Sequence, residues 1–239
     1  VVSSFFTGSD FIVNNQNSSR WMNSHHGLEL ILNMQNISLG LTIFFFSRVM
    51  ALLYFIKNID HDNLLTRIHN HLRTNGAAFV VVFLIFLAQL LSREGFAYNP
   101  QSGEVYTQAN KYLYNFIEMP VVSILFVLGV ISAIAGILLS IRRPGYSQGI
   151  WFTGPGAILV VFSLFLILGL NHTVFYPSTH DLQSSLHIQN ASSSEYTLTV
   201  MGYASLMVPF VATYIIIAWR SLNKEKISKE EIEGTSETY

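Results

Sequence analysis

Apolar residues gather in five runs, separated by segments where polar and charged residues dominate. A membrane-crossing helix needs about 20 mostly apolar residues. The runs Ile37–Ile56, Met119–Ile141, Gly149–Leu170 and Tyr196–Trp219 meet that length. Ala77–Leu91 is shorter, and flanking residues such as Leu72 and Ser92 extend it. The pattern predicts an all-α fold, a polytopic membrane helix bundle with five transmembrane helices. No period of 20–50 residues recurs, which argues against a tandem array.

Composition agrees. Of 239 residues, 51% are hydrophobic and 11% charged, against about 25% charged in a soluble domain; the mean hydropathy is +0.41. With 0 cysteines, disulfides, iron–sulfur clusters, thiolate haem ligation and Cys-based zinc sites are excluded. A net charge of −1 lacks the basic excess a nucleic-acid partner requires. Charge is more informative once divided by side. Lys57, Arg67, Arg73, Arg142, Arg143, Arg220, Lys224, Lys226 and Lys229 all fall on one side of the five runs. Arg20, Arg93 and Lys111 fall on the other. The positive-inside rule then places the C-terminus in the cytoplasm and residues 1–36 outside.

Arg48 sits within the first run, about 12 Å from its cytoplasmic end. An arginine at that depth costs about 2.5–3.5 kcal/mol even on insertion scales, so it is expected to face protein, a partner or water. The readings open to it are an ion pair or subunit contact, and a role in proton or quinone traffic. Glu118, two residues before Pro120, reads either as an interfacial carboxylate able to pass protons or as a first-turn glutamate favoured by the helix dipole. The pairs Gly129/Ala133 and Ser132/Gly136 have the four-residue spacing that lets helix backbones approach closely, and ordinary bundle packing explains them. Gly154-Pro155-Gly156 predicts a kink or a loosened first turn in the fourth span. The eight histidines include no mid-span pair and no His-Glu-x-x-His set, so they read as surface histidines and no metal ligand is assigned. No catalytic set is visible. Asn17, Asn36, Asn171 and Asn190 begin glycosylation tripeptides, which are common by chance and mean nothing if the source is bacterial. Ser228 followed by Glu231 predicts a capped helix in the tail.

The loop before the last run carries a more specific pattern. Pro177-Ser178-Thr179, Ser184-Ser185-Leu186, Ala191-Ser192-Ser193-Ser194 and Thr197-Leu198-Thr199-Val200-Met201 follow one another. Read physically, this is a Ser/Thr-rich segment that hydrogen-bonds its own backbone in turns, or is simply solvated. As a pattern it resembles subunit II of the cytochrome bd quinol oxidases. The tail Ile227–Ile232 is similar too, with weaker matches at Arg142-Arg143, Asn99-Pro100 and Lys111–Pro120.

That resemblance implies a subunit of nine membrane helices, two four-helix bundles and a peripheral last helix. It pairs with a subunit I that ligates haems b and d and carries the main quinol-oxidising loop. The complex oxidises quinol, reduces oxygen to water and builds a proton gradient. The chain matches the last five helices, and its start at Val1 reads as a fragment lacking the first four. The expected organisation is an outer, periplasmic segment (1–36) and a four-helix bundle with its loops (37–170). An outer Ser/Thr-rich loop (171–195), a peripheral helix (196–219) and a cytoplasmic tail (220–239) follow. The implied setting is the bacterial inner membrane, beside lipid and quinone, with no cofactor ligated by this chain. Rival readings are a secondary transporter, with Arg48 and the Gly154–Gly156 break forming a midplane site, and a generic membrane anchor.

Overall fold

The computed structural model describes residues 2–14, 16, 18–143 and 145–222. The Asn17 tripeptide, the Ser228/Glu231 pattern and the Ile227–Ile232 match lie outside the described residues. Five helical stretches are long and apolar enough to cross a membrane. Chain order begins with α1 (Ser4–Thr7), the hairpin β1 (Phe11–Val13) and β2 (Ser19–Trp21), and a 3₁₀ turn over Leu28–Leu32. The first long helices, α2 (Met34–Asn58) and α3 (Asp62–Ser92), follow. A second hairpin, β3 (Glu94–Tyr98) and β4 (Val105–Ala109), leads to the short α4 (Lys111–Glu118). Then come α5 (Pro120–Arg142), α6 (Ile150–Gly169), α7 (Ile188–Ala191), α8 (Glu195–Ser205) and α9 (Val208–Leu222). The helical class holds, and the two antiparallel hairpins are additions that the apolar pattern did not announce.

Helices α2, α3, α5 and α6 form the bundle, with α2 packed chiefly on α3 and α5 on α6. The spacing of buried positions explains the pairing. On α5 these are Val122, Phe126, Gly129, Ala133, Gly136, Ile137 and Ser140; on α6 they are Thr153, Gly156, Val160, Ser163, Leu164, Ile167 and Leu168. Both series step by three and four, giving one stripe per helix. In lipid no hydrophobic force drives helices together, so close packing of small residues must. A Cβ placed on Gly156 would lie 2.7 Å from the Gly129 carbonyl oxygen and 2.7 Å from the Ala133 nitrogen. Here the backbones themselves are in contact. Ser132 Oγ also donates to the Phe152 carbonyl at 2.9 Å, and Thr153 Oγ1 to the Ala133 carbonyl at 3.3 Å. The packing explanation of both small-residue pairs therefore stands.

Two expectations need correction. The second helix begins at Asp62, well before the apolar run, and its 31 residues measure about 46 Å at 1.5 Å per residue. That exceeds a hydrocarbon thickness of about 30 Å, so its first turns, with Arg67 and Arg73, project beyond the bilayer as helix. The run Leu64, Leu65, Ile68, Leu72 supplies an apolar stripe there, and Ile68 and Leu72 are buried. The last stretch is divided, α8 ending at Ser205 and α9 starting at Val208. Pro209 is the cause: it has no N–H for the Ser205 carbonyl, and its ring crowds that same carbonyl. The chain crosses the break on tighter bonds, Leu206 N to Tyr203 O (3.1 Å) and Met207 N to Ala204 O (3.0 Å). By contrast α6 runs without interruption from Ile150 to Gly169, through Pro155. The loosened first turn expected at Gly154–Gly156 is not present.

Among the described residues packing falls into three apolar clusters, the smallest joining Phe96, Tyr98, Val105 and Val174; the other two lie in the bundle. One joins Phe86, Leu90, Val122, Phe126, Leu164 and Ile167 with Phe6 and Tyr112; the other joins Val49, Leu53, Ile56, Leu72, Phe79 and Ile137. The N-terminal segment, both hairpins, α4 and the loop after α6 form a cap on the side of the bundle where α2 and α5 begin. Helices α8 and α9 pack sparsely, with every described side chain exposed or half-exposed, and Trp219 of α9 meets Tyr54 of α2.

Candidate functional site

The cap is held by serines. Ser9, Ser178, Ser185 and Thr173 are fully buried, which polar side chains tolerate only when hydrogen-bonded. The backbone of Ser9 pairs with the loop, its N–H donating to Pro177 O (3.0 Å) while its carbonyl accepts from Thr179 N (3.0 Å). Ser178 Oγ donates to the Phe11 carbonyl at 2.5 Å and accepts from Asp181 N at 3.2 Å. Ser185 Oγ accepts from Ser178 N at 2.9 Å, and Ser184 Oγ accepts from Val13 N at 3.0 Å. Gln183 pairs with both backbone groups of Val105, which ties β4 to the same loop. Pro177 is buried, Leu186 is half-buried and pairs by backbone with Tyr176, and Thr179 is exposed. Ala191, Ser192, Ser193 and Ser194 are exposed. Of these, Ser192 Oγ returns to the Ile188 carbonyl and Ser194 caps α8 at Thr197 N. The first half of the loop pattern is thus a lock onto residues 9–13, and its second half is a solvated connection to α8.

Beneath the cap lies a polar chain that α4 presents on one face. Lys111, Asn115 and Glu118 stand at i, i+4 and i+7, which a helix stacks on one side. Asn115 is fully buried; its Nδ2 donates to the Ile167 carbonyl and to Thr173 Oγ1, each at 2.7 Å. Asn171 Nδ2 donates to Asn115 Oδ1 at 2.9 Å and also to the Glu118 carboxylate. Lys111 Nζ donates to the Asn171 carbonyl at 2.9 Å. Burial lowers the Lys111 pKa, while the Glu118 charge opposes that shift. Asn171 and His172 have φ of 56° and 55°, the left-handed region that asparagine visits most readily among non-glycine residues, and so turn the chain sharply after α6. Glu118 is therefore the last residue of α4, exposed, and not a first-turn residue of α5. The helix start belongs to Pro120, at its first position.

A second set joins α2, α3 and the cap. Arg93 donates to Gln35 Oε1 at 2.6 Å, and Ser38 Oγ to Gln89 Oε1 at 2.9 Å. Tyr112 OH donates to the Phe6 carbonyl at 3.3 Å. Burial pushes the Tyr112 phenol above the ordinary tyrosine range, despite the nearby Arg93 charge. The phenol is thus a fixed donor at any physiological pH.

Arg48 lies far from both sets, in the middle of α2 and on the outer surface of the bundle. Its Nε donates to Asn75 Oδ1 at 2.7 Å, and its guanidinium carbon is 5.7 Å from the Phe44 ring centroid. Asn75 is itself fixed by donating to the His71 carbonyl at 2.7 Å. Among the described residues no carboxylate pairs with Arg48; the one ion pair is His180–Asp10 at 3.2 Å, in the cap. Two histidines depart from the surface reading. His69, on α3, is buried with neither ring nitrogen hydrogen-bonded. His187 is buried and stacks on Tyr98 at 4.1 Å, and burial lowers its pKa. Among the described residues no group of three or more His, Cys, Asp or Glu is placed to hold a metal ion.

A family model described as cytochrome bd terminal oxidase subunit II matches residues 1–222. The chain belongs to that family. No curated protein matches it with significance. Family membership places the chain in a respiratory terminal oxidase complex with another subunit. Within this subunit II, Arg48, Glu118 and the loop serines are the residues that stand out in the sequence. The structure brings Glu118 into a polar chain with Asn171, binds the serines to residues 9–13, and leaves Arg48 remote from both. Lys111, Asn115 and Asn171 were missed as a group. Their seven-residue helical spacing with Glu118 was the available signal for the α4 members.

Proposed function

We propose that this chain is the non-haem-ligating partner subunit of a quinol:oxygen oxidoreductase, in which a subunit I carries haems b and d and oxidises quinol. Reduction of oxygen to water is coupled to a proton gradient by the pair. The subunit sits in the bacterial inner membrane, with its cap in the periplasm and its C-terminus in the cytoplasm, as the distribution of Lys and Arg supports.

The observation that carries the reading, given the family, is the exposed Arg48 at mid-bilayer depth. Among the described residues the Arg48 guanidinium has one hydrogen bond, at Nε, and the Phe44 ring beside it. Lipid is a poor environment for its remaining donors, and a covering protein with an anionic or carbonyl acceptor relieves it. Arg48 is then a subunit contact. Glu118 acts in the cap, where it fixes Asn171 and through it the end of α6. The unbroken α6 removes the broken-helix element on which a transporter site would rest.

Purification through a tag on this chain tests the proposal. A second membrane subunit with haem absorption and quinol-dependent oxygen consumption is expected, and both signals should vanish on deletion of this chain. Recovery of the chain alone, with substrate uptake into vesicles, would replace this reading with the transporter. A haem-free partner would replace it with an anchor.

A further inference from the structure

Between α2, α6 and α9 lies a groove of about 800 Å³, within the range of about 300–1,000 Å³ typical of small-ligand sites. Its walls are apolar, formed by Phe46 and Met50 of α2, Gly154, Ala157 and Phe162 of α6, and Trp219 of α9. Among the described residues no acidic one lines it. The groove exists because α9 meets the bundle at Trp219, whose ring stands 6.4 Å from that of Tyr54, while its other described side chains stay exposed or half-exposed. In a bilayer such a space opens onto hydrocarbon, so acyl chains fill it.

The mouth of the groove turns this space from a passage into a site. Lys57, in the last turn of α2, lines it and holds its Nζ 4.3 Å from the Trp151 ring centroid. Arg220 follows Trp219 in the last turn of α9. Lys57 and both tryptophans line the groove at the membrane face where α2 and α9 end, and Arg220 stands next along α9 at that same end, the depth where indoles and long basic side chains settle.

We infer that this groove is a binding site for one anionic phospholipid, its acyl chains lying between α9 and the bundle and its phosphate held by Lys57 and Arg220. Charge complementarity selects this occupant over a zwitterionic lipid. Each basic side chain near an anionic surface favours it about fivefold, or roughly 25-fold for the pair. The site requires only that the chain spans a membrane and is independent of the oxidase reading.

The test uses the membrane complex that this chain forms, purified in detergent and exchanged against dioleoyl phosphatidylglycerol or dioleoyl phosphatidylcholine. Native mass spectrometry then counts retained lipid. Wild type should keep one phosphatidylglycerol in preference to phosphatidylcholine. The Lys57→Gln/Arg220→Gln variant should lose that preference by roughly 25-fold. Gly154→Leu should expel both lipids, because a Cβ at Gly154 meets only Met50 Cε, at 3.6 Å, and the longer side chain grows into the groove. If Gly154→Leu does not assemble, the charge variant decides alone. Equal retention of the two lipids by wild type, an unchanged preference in the charge variant, or a neutral isoprenoid in place of a phospholipid would overturn the inference.

Discussion

The contact between α5 and α6 admits a worked prediction, because the groups that meet there are backbone atoms with no rotamer to change. In Gly156→Ala the new Cβ lies 2.7 Å from the Gly129 carbonyl oxygen, 2.7 Å from the Ala133 nitrogen and 3.1 Å from the Ala133 Cα. Ordinary contact begins near 3.4 Å, so the helices must part locally by about 0.7 Å. Overpacking of this kind costs about 1–3 kcal/mol. Against it stands the helix propensity of alanine over glycine, up to about 1 kcal/mol. The net expectation is a loss of about 1–2 kcal/mol, which for a chain of this size lowers Tm by about 2–8 °C. Gly40→Ala on α2 is the control, since a Cβ there meets nothing within 4 Å. It retains the propensity gain without the clash and should be neutral or stabilising. Gly129→Ala meets the same interface from the other side, at 2.7 Å from the Gly156 carbonyl oxygen. Once the helices have parted for one methyl group the second costs less, so the double variant should fall short of the sum of the singles. The assay is thermal unfolding of the purified protein in detergent, followed by tryptophan emission. A Gly156→Ala protein as stable as Gly40→Ala, or strict additivity with Gly129→Ala, would refute close backbone contact as the bond between these helices.

Four further outcomes follow from the cap and from Arg48. Ser178→Ala strands the buried Phe11 carbonyl and should cost about 1–3 kcal/mol, seen as faster hydrogen exchange over Phe11–Val13 with exchange in α5 unchanged. Asn115→Asp removes both donated hydrogen bonds and sets a carboxylate oxygen against the Ile167 carbonyl at a fully buried position, so the recovered amount of folded protein should fall well below that of Asn115→Gln. Burial lowers the His187 pKa below the ordinary value of about 6.5. As pH falls below that value the unfolded cap binds a proton that the folded cap excludes. The stabilisation is therefore complete above pH ~6.5 and declines below it, by up to about 1.4 kcal/mol per pH unit; exchange over residues 172–190 should show this slope, and His187→Phe should flatten it. Arg48→Leu discriminates between surroundings: a lipid-facing position gains about 2.5–3.5 kcal/mol in insertion. The partner-facing position proposed here should lose recovery of the second subunit on a pull-down while this chain still inserts.

What the sequence made legible, and what it did not, follows from the two solvents this chain meets. Inside the bilayer every backbone group must bond within its own helix, so local apolar run length is a nearly sufficient signal. The ends of α2, α5 and α6 lie within a few residues of their apolar runs. The signal fails where the helix leaves the hydrocarbon. The first turns of α3 are polar, and only the stripe through Ile68 and Leu72 marks them as helix. Pro209 was visible in the sequence, yet length alone read 196–219 as one helix. In the cap the physics is different, because partners distant in sequence satisfy its buried polar groups. Ser178 meets Phe11 across 167 positions, and no periodicity within either segment encodes that pairing. The Ser/Thr loop therefore stood out as a family pattern before it had a physical role. For Ser178 and Ser184, replacement of one buried hydroxyl strands the Phe11 carbonyl or the Val13 amide, whereas the exposed Ala191–Ser194 half has no such role. The same contrast applies to Glu118 and Arg48. Glu118 became intelligible through its helical spacing to Lys111 and Asn115, which is local. Among the described residues Arg48 meets Asn75 and the Phe44 ring, neither of them near in helical spacing to a carboxylate. Its proposed role as a subunit contact rests on depth in the bilayer and not on any local pattern.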